Sequence, residues 1–327
     1  MARFFSIYFK STESLLRFLV WSSLGLIALV DFLAIKIMGI KIIANSEQIT
    51  IILSIFALTI LSYLLRTKLV QSATKDGFVK LARVFNITGI AMEGLVQFVT
   101  FVSLFIILSY IAASSNRPLY DEYFFTFDKS LGFDWLSYIS IVNKYPIFNT
   151  ILENAYHSTF QIPAIFIALA IFQKSARLYN VMLCLIISVI ICITISGIFP
   201  AFGKANYMGI NPINFPNVEM AAGYAQIDDI KKMRYDNKVI DLSSLKGVIT
   251  FPSFHTCMAM ILAWGFWGIS YLRFPFLLIN MVMLAAIPVT GGHYLADMVA
   301  GAIIAVTVIY MVTRLTNWHL AKMEIIK

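Results

Sequence analysis

The chain has 327 residues, 60% of them hydrophobic, a mean hydropathy of +0.82 and a formal net charge of +8. Soluble domains are nearer half apolar, which speaks against a large soluble helical protein. The positive charge lies in short clusters beside apolar runs rather than along one face, which argues against a nucleic-acid footprint and leaves no nucleic acid among the expected partners.

Apolar runs near 18–38, 49–65, 88–113, 150–172, 179–200, 252–269, 273–289 and 293–315 approach the roughly 20 residues that cross a bilayer. They predict an all-α, polytopic membrane protein of about eight transmembrane helices. The first run follows basic residues as a signal peptide would, but no convincing cleavage site follows, so a retained span is expected. Basic clusters flank the runs: Arg3, Lys10 and Arg17; Arg66, Lys68, Lys75, Lys80 and Arg83; Lys174 and Arg177; Arg273; Arg314, Lys322 and Lys327. All fall on one side of an eight-span topology, the positive-inside pattern, so both termini are expected in the cytoplasm. Loops near 39–48, 114–149, 201–250 and 289–292 are then extracytoplasmic. Lys36, Lys41, Arg117, Lys129 and Lys144 run against the bias without reversing it.

The basic segment 66–87 divides the chain into an N-terminal two-span extension, 1–87, and a six-span core, 88–327. Segment 114–149 mixes charges with Tyr120, Phe124, Phe125, Phe127, Trp135 and Tyr138, a composition suited to a membrane interface. On the fourth run Glu153, His157 and Gln161 recur every four residues at the outer end, which marks them as candidate head-group contacts. Asp31 and Glu93 lie within spans with no partner evident from the sequence. Cys184, Cys192 and Cys257 lie within spans and predict no structural disulfide. The long loop 201–250, bounded by prolines and polar over 224–246, reads as an external cap with one short helix.

Two motifs carry the chemistry. Residues 251–255 read Phe-Pro-Ser-Phe-His, and residues 290–301 read Thr-Gly-Gly-His-Tyr-Leu-Ala-Asp-Met-Val-Ala-Gly. Pro252 suits a first helical turn, which would hold Ser253 and His255 where free N–H groups favour an anion. Gly291 and Gly292 permit a tight turn before His293, expected to open the last span, and Asp297 follows four residues later on the same face. A carboxylate bonded to one imidazole nitrogen fixes the tautomer and leaves the other nitrogen free as a nucleophile. Both helices run inward from the same external face, so two positive helix ends, a hydroxyl and two histidines would meet a phosphate at one depth. Ionisable groups at such positions are costly and usually functional.

The segments Pro252-Ser253-Phe254-His255 and Gly292-His293-Tyr294-x-x-Asp297 resemble two signatures of the type 2 phosphatidic acid phosphatase superfamily, and more closely those of its inositolphosphorylceramide-synthase-like branch. Leu131-Gly132-Phe133-Asp134-Trp135 and Phe199-Pro200-Ala201-Phe202-Gly203-Lys204 are similar to segments of that branch, and the resemblance covers roughly 115–315. It implies a six-helix catalytic core acting on a lipid phosphate or phosphodiester. His293 would attack phosphorus and form a phosphohistidine, and Asp297 would orient it. His255 would protonate the leaving oxygen and then activate the acceptor, water or an alcohol. Ser253 and Lys204 would bind phosphate, and neither cofactor nor metal is implied.

The resemblance departs in two places. Lys204 is followed, at the superfamily's spacing, by Asn211-Pro212 rather than Arg-Pro, and Ile287 stands where an arginine commonly precedes the histidine. Two guanidinium clamps are therefore missing, with Lys231, Lys232 and Arg234 as alternative cations in the loop. This leans towards a phosphotransferase rather than a simple phosphatase. Two other readings stay open: a metal-dependent membrane hydrolase with His255, His293, Asp297 and His157 as ligands, and a transporter using the same residues as an ion path. The lipid, the acceptor and the oligomeric state are not legible.

Overall fold

Long apolar runs closed by local caps set the helices. The computed structural model describes residues 11–218, 224, 226–236 and 238–325. Arg3, Lys10 and Lys327 of the charge pattern lie outside them. Of the described residues 77% are helical, so most of their backbone polar groups are satisfied within their own segment, as a bilayer requires.

Helix α1 (Thr12–Met38) starts at a capping box between Ser11 and Ser14 and ends at Gly39, whose φ of 65° suits glycine. Strand β1 (Lys41–Ile43) follows, then α2 (Ser46–Leu64), capped by Asn45 and continuing through a π-helical stretch to Lys75. Helix α3 (Val79–Ala113) begins at once. The basic segment 66–87 is therefore the joined ends of two long helices rather than a linker.

Three amphipathic helices, α4 (Asp121–Ser130), α5 (Trp135–Lys144) and α6 (Pro146–Tyr156), occupy most of 114–149 and run on past it. The expected span over 150–172 is not continuous: α6 stops at Tyr156 and α7 (Gln161–Ile171) begins after a break. Pro163 explains the break. It has no N–H for the carbonyl of Thr159, and its ring would clash with that carbonyl in an unbroken helix. Helix α8 (Ser175–Ile198) is buried along most of its length and packs against α1, α3 and α7.

The long loop 201–250 carries the turn Lys204–Tyr207, helix α9 (Ile227–Tyr235) and strand β2 (Val239–Asp241). The last three helices are α10 (Phe254–Trp267), α11 (Arg273–Thr290) and α12 (Leu295–Ile325). Among the described residues six helices are long and apolar enough to cross a membrane, and α7 and α10 are shorter apolar helices.

Two contacts define the ends of the bundle. At one end β1 pairs in parallel with β2, Ile42 opposite Ile240, and buries Ile40, Tyr110, Met233, Ile240 and Val248 together. At the other end, buried Glu93 of α3 accepts from Arg17 (2.5 Å) and Trp21 (3.0 Å) of α1, from Arg66 and from Tyr179 of α8 (3.0 Å). Arg66 also reaches Glu13. A buried carboxylate needs such partners, and these hold the N-terminal hairpin on the core. Asp31 is buried with neither carboxylate oxygen hydrogen-bonded. The three cysteines are free, and the thiols of Cys192 and Cys257, on α8 and α10, lie 3.8 Å apart.

Candidate active site

The two motifs meet where α10 and α12 begin. Gly301 allows the approach: a Cβ there would lie 2.5 Å from the carbonyl oxygen of Ser253. The Ser253 N–H donates to the Asp297 carbonyl (3.0 Å), which joins the helix starts directly. Pro252 lies just before the cap rather than inside the first turn. Ser253 is the cap itself, fully buried, accepting from the Thr256 N–H at 3.4 Å. His255 is in the first turn of α10, as expected.

His293 does not open α12. It sits in the turn between Gly291 and Leu295, with Gly292 at a φ of 63°. Only glycine takes that conformation readily, and the turn leaves the imidazole beside the helix end. Its Nδ1 lies 2.8 Å from the Asp297 Oδ2, which also accepts from the Tyr294 N–H at 3.0 Å. Asp297 is fully buried, and a carboxylate at this distance favours the tautomer in which Nδ1–H donates and Nε2 keeps its lone pair.

His255 stacks on Tyr156, ring centroids 4.4 Å apart, with its Nδ1 3.3 Å from the tyrosine hydroxyl. Gly291 makes room for this: a Cβ there would lie 2.7 Å from the His293 ring and 3.0 Å from that hydroxyl. His255, His293, Tyr156 and His157 all line one cavity of about 380 Å3. Its remaining wall is largely apolar, with Phe98, Phe101, Phe105 and Met258 prominent.

The cluster of Glu153, His157 and Gln161 is divided by the helix break. His157 lines the cavity. Gln161 is buried outside the lining, donating to Ser158 Oγ (2.7 Å) and accepting from Asn280 (2.7 Å). Glu153 lies on α6, outside the lining. The expected common helical face does not exist because the helix does not continue through 157–160.

Lys204 is likewise apart from the histidine cavity. It is buried and ion-paired with Asp128 of α4, and lines a separate recess with Phe133 and Trp135. Asp128 further accepts from the N–H groups of Leu295 (3.1 Å) and Ala296 (3.2 Å). The start of α12 is thus already capped by a carboxylate, which corrects the expectation that both helix ends stand open to a phosphate. Asp121, two turns earlier on the same face of α4, accepts from the N–H groups of Phe202 and Gly203 and from the Tyr294 hydroxyl (3.0 Å). Burial pushes the Asp121 carboxyl above its ordinary value, and these donors oppose that shift. The Lys204 N–H donates to the Gly292 carbonyl at 2.9 Å. Helix α4 therefore clamps the loop before Lys204 onto the His293 turn.

Sequence reasoning missed Asp121 and Asp128, and the cavity residue Lys246. Their partners lie far away in the chain, and the sequence offered no spacing to join them. Among the described residues no group of three or more His, Cys, Asp or Glu side chains is placed to hold a metal ion.

A His–Asp pair and a second histidine thus come together beside the starts of two apolar helices and share a largely apolar cavity. Residues 122–311 match the model of the PAP2 superfamily, and the chain belongs to that superfamily. No curated protein and no solved structure matches it.

Proposed function

We propose that the protein is an integral-membrane lipid phosphate phosphatase or lipid phosphotransferase acting through a phosphohistidine on His293. The observation that carries the reading is the 2.8 Å contact of His293 Nδ1 with buried Asp297, beside a cavity that His255 shares. With Nδ1–H committed to the carboxylate, Nε2 attacks phosphorus and the bond to the leaving oxygen breaks. His255 gives that oxygen a proton. Water or an alcohol then attacks the phosphohistidine, the N–P bond breaks, and His255 takes the acceptor's proton. Buried Ser253 supports the turn and offers its hydroxyl to a phosphoryl oxygen.

The largely apolar cavity wall suits the chain of an amphiphile. Motif likeness to the inositolphosphorylceramide-synthase-like branch, with Asn211 and Ile287 in place of arginines, favours transfer to an alcohol over hydrolysis. Charge clustering favours cytoplasmic termini and an extracytoplasmic site. The N-terminal two-span hairpin is an extension to a six-span catalytic core.

Purified protein given a panel of lipid phosphates and labelled acceptors tests the reading. We expect chelator-resistant turnover that His293→Ala abolishes in a folded protein, and that Asp297→Asn impairs less severely. Chelator-sensitive turnover, or a folded His293→Ala variant with near-normal activity, would overturn it.

A further inference from the structure

The histidines occupy one end of their cavity, and the rest of it runs down α3. Phe98, Phe101, Val102 and Phe105 all line it, spaced so that they share one helical face. From Phe105 to Phe98 is about 10 Å along the helix axis. Phe105 marks the histidine end: its ring centroid is 5.8 Å from that of Phe254, the neighbour of His255. Phe98 marks the other end, edge-on to fully buried Phe166 of α7, with centroids 6.3 Å apart.

Beyond Phe98 two glycines close the bundle. A Cβ on Gly94, one turn along α3, would lie 3.2 Å from Phe166 and from Leu178 of α8. A Cβ on Gly265 of α10 would collide with Ile165 of α7 and lie 2.9 Å from Val181 of α8. Here α3 and α10 meet α7 and α8 at a distance only glycine allows. Nearer the histidines the same helices stand apart, with Ile162 of α7, Leu185 of α8 and Met258 of α10 in the cavity wall. Helices α3 and α8 run side by side in one direction, since Gly94 faces Leu178 and Gly197 faces Ala112. Phe101 and Leu185, each two turns beyond the Gly94–Leu178 contact, are therefore at one level. The cavity is a pocket with histidines at its mouth and a floor at Phe98.

We infer that this pocket holds one hydrocarbon chain of the substrate and that Phe98 sets how much of it is bound. The inference rests on reading His255 and His293 as the phosphate-transferring end. With the head there, the chain runs down the α3 phenylalanines. An extended chain advances about 1.3 Å per carbon, given a C–C bond of about 1.5 Å, so about 10 Å of helix takes about eight carbons. The ligand class is an amphiphile with a phosphate head and a chain whose first eight or so carbons bury here. Each methylene taken from water strengthens binding by up to about 4-fold, and that gain ends where Phe98 stands.

The test uses n-alkylphosphonates from butyl to tetradecyl, which carry the head and resist hydrolysis. They are titrated against the full chain at one fixed detergent concentration, with binding followed by thermal unfolding. We expect wild-type affinity to rise with each carbon and to stop rising near octyl. Phe98→Ala should move that limit about two to four carbons longer. The smaller change Phe98→Leu should move it in the same direction, and Phe98→Trp should shorten it. Phe56→Ala, the same truncation on an exposed face of α2, should leave it in place. With lipid phosphates of graded chain length, the chain that gives the highest kcat/KM should move as the phosphonate limit does. The inference fails if no alkylphosphonate binds, if wild-type affinity climbs past dodecyl without a break, or if the limit ignores Phe98. It also fails if Phe56→Ala moves the limit equally. Phosphonate binding limited by Phe98 without turnover of any lipid phosphate would keep the chain pocket and remove the enzymatic reading. Turnover by a protein whose limit ignores Phe98 would do the reverse.

Discussion

Asp128 is expected to be a main determinant of the stability of the His293 turn. Its carboxylate neutralises Lys204 and accepts from the Leu295 and Ala296 N–H groups, with both side chains almost wholly buried. Asp128→Ala leaves a buried ammonium unpaired and two helix-start donors empty. Breaking a buried pair from one side costs about 3–5 kcal/mol, and losing the cap adds about 1 kcal/mol. Asp128→Asn keeps an acceptor for the N–H groups and loses only the charge, so it should be milder. The informative variant is the pair Asp128→Ala with Lys204→Met. Removing the stranded ammonium should recover more than half of the loss, since replacing both partners by apolar groups is often near neutral. Equilibrium unfolding in mixed detergent micelles reads these differences. The reasoning is refuted if Asp128→Ala lies within about 1 kcal/mol of wild type, the range of an ordinary surface change. It is equally refuted if the double variant is no more stable than the single one.

Three further outcomes are expected. Cysteines introduced within 224–246 should label from the opposite side of the membrane to those within 70–80, and labelling from one side would overturn the topology. His157→Ala should change the ratio of turnover for two acceptors, because His157 lines the cavity, and an unchanged ratio would remove it from the pocket. Gln161→Ala should instead lower thermal stability without changing that ratio, because its amide is spent on Ser158 and Asn280.

The long helices were legible because a run of apolar residues near bilayer length has few other solutions. The pairing of His293 with Asp297 was legible for a similar reason: their separation of four residues survives even though His293 stands just outside the helix. Legibility failed wherever the partner was remote. Nothing local in the sequence joins Glu93 to Arg17 and Arg66, or Asp128 to Lys204 and the start of α12. The grouping of Glu153, His157 and Gln161 failed for a local reason that was visible. Pro163 sits inside an otherwise continuous apolar run, and hydropathy alone does not register a missing N–H.

The central claim is that His293 becomes covalently phosphorylated, and rapid quenching in alkali tests it most directly. Wild-type protein is mixed with phosphatidic acid labelled in its phosphate, quenched within a turnover, digested and analysed by mass spectrometry. The account predicts acid-labile, alkali-stable label on the peptide that contains His293, and none in the His293→Ala variant. Steady turnover with no labelled histidine, or label on a different residue that persists in His293→Ala, would contradict it.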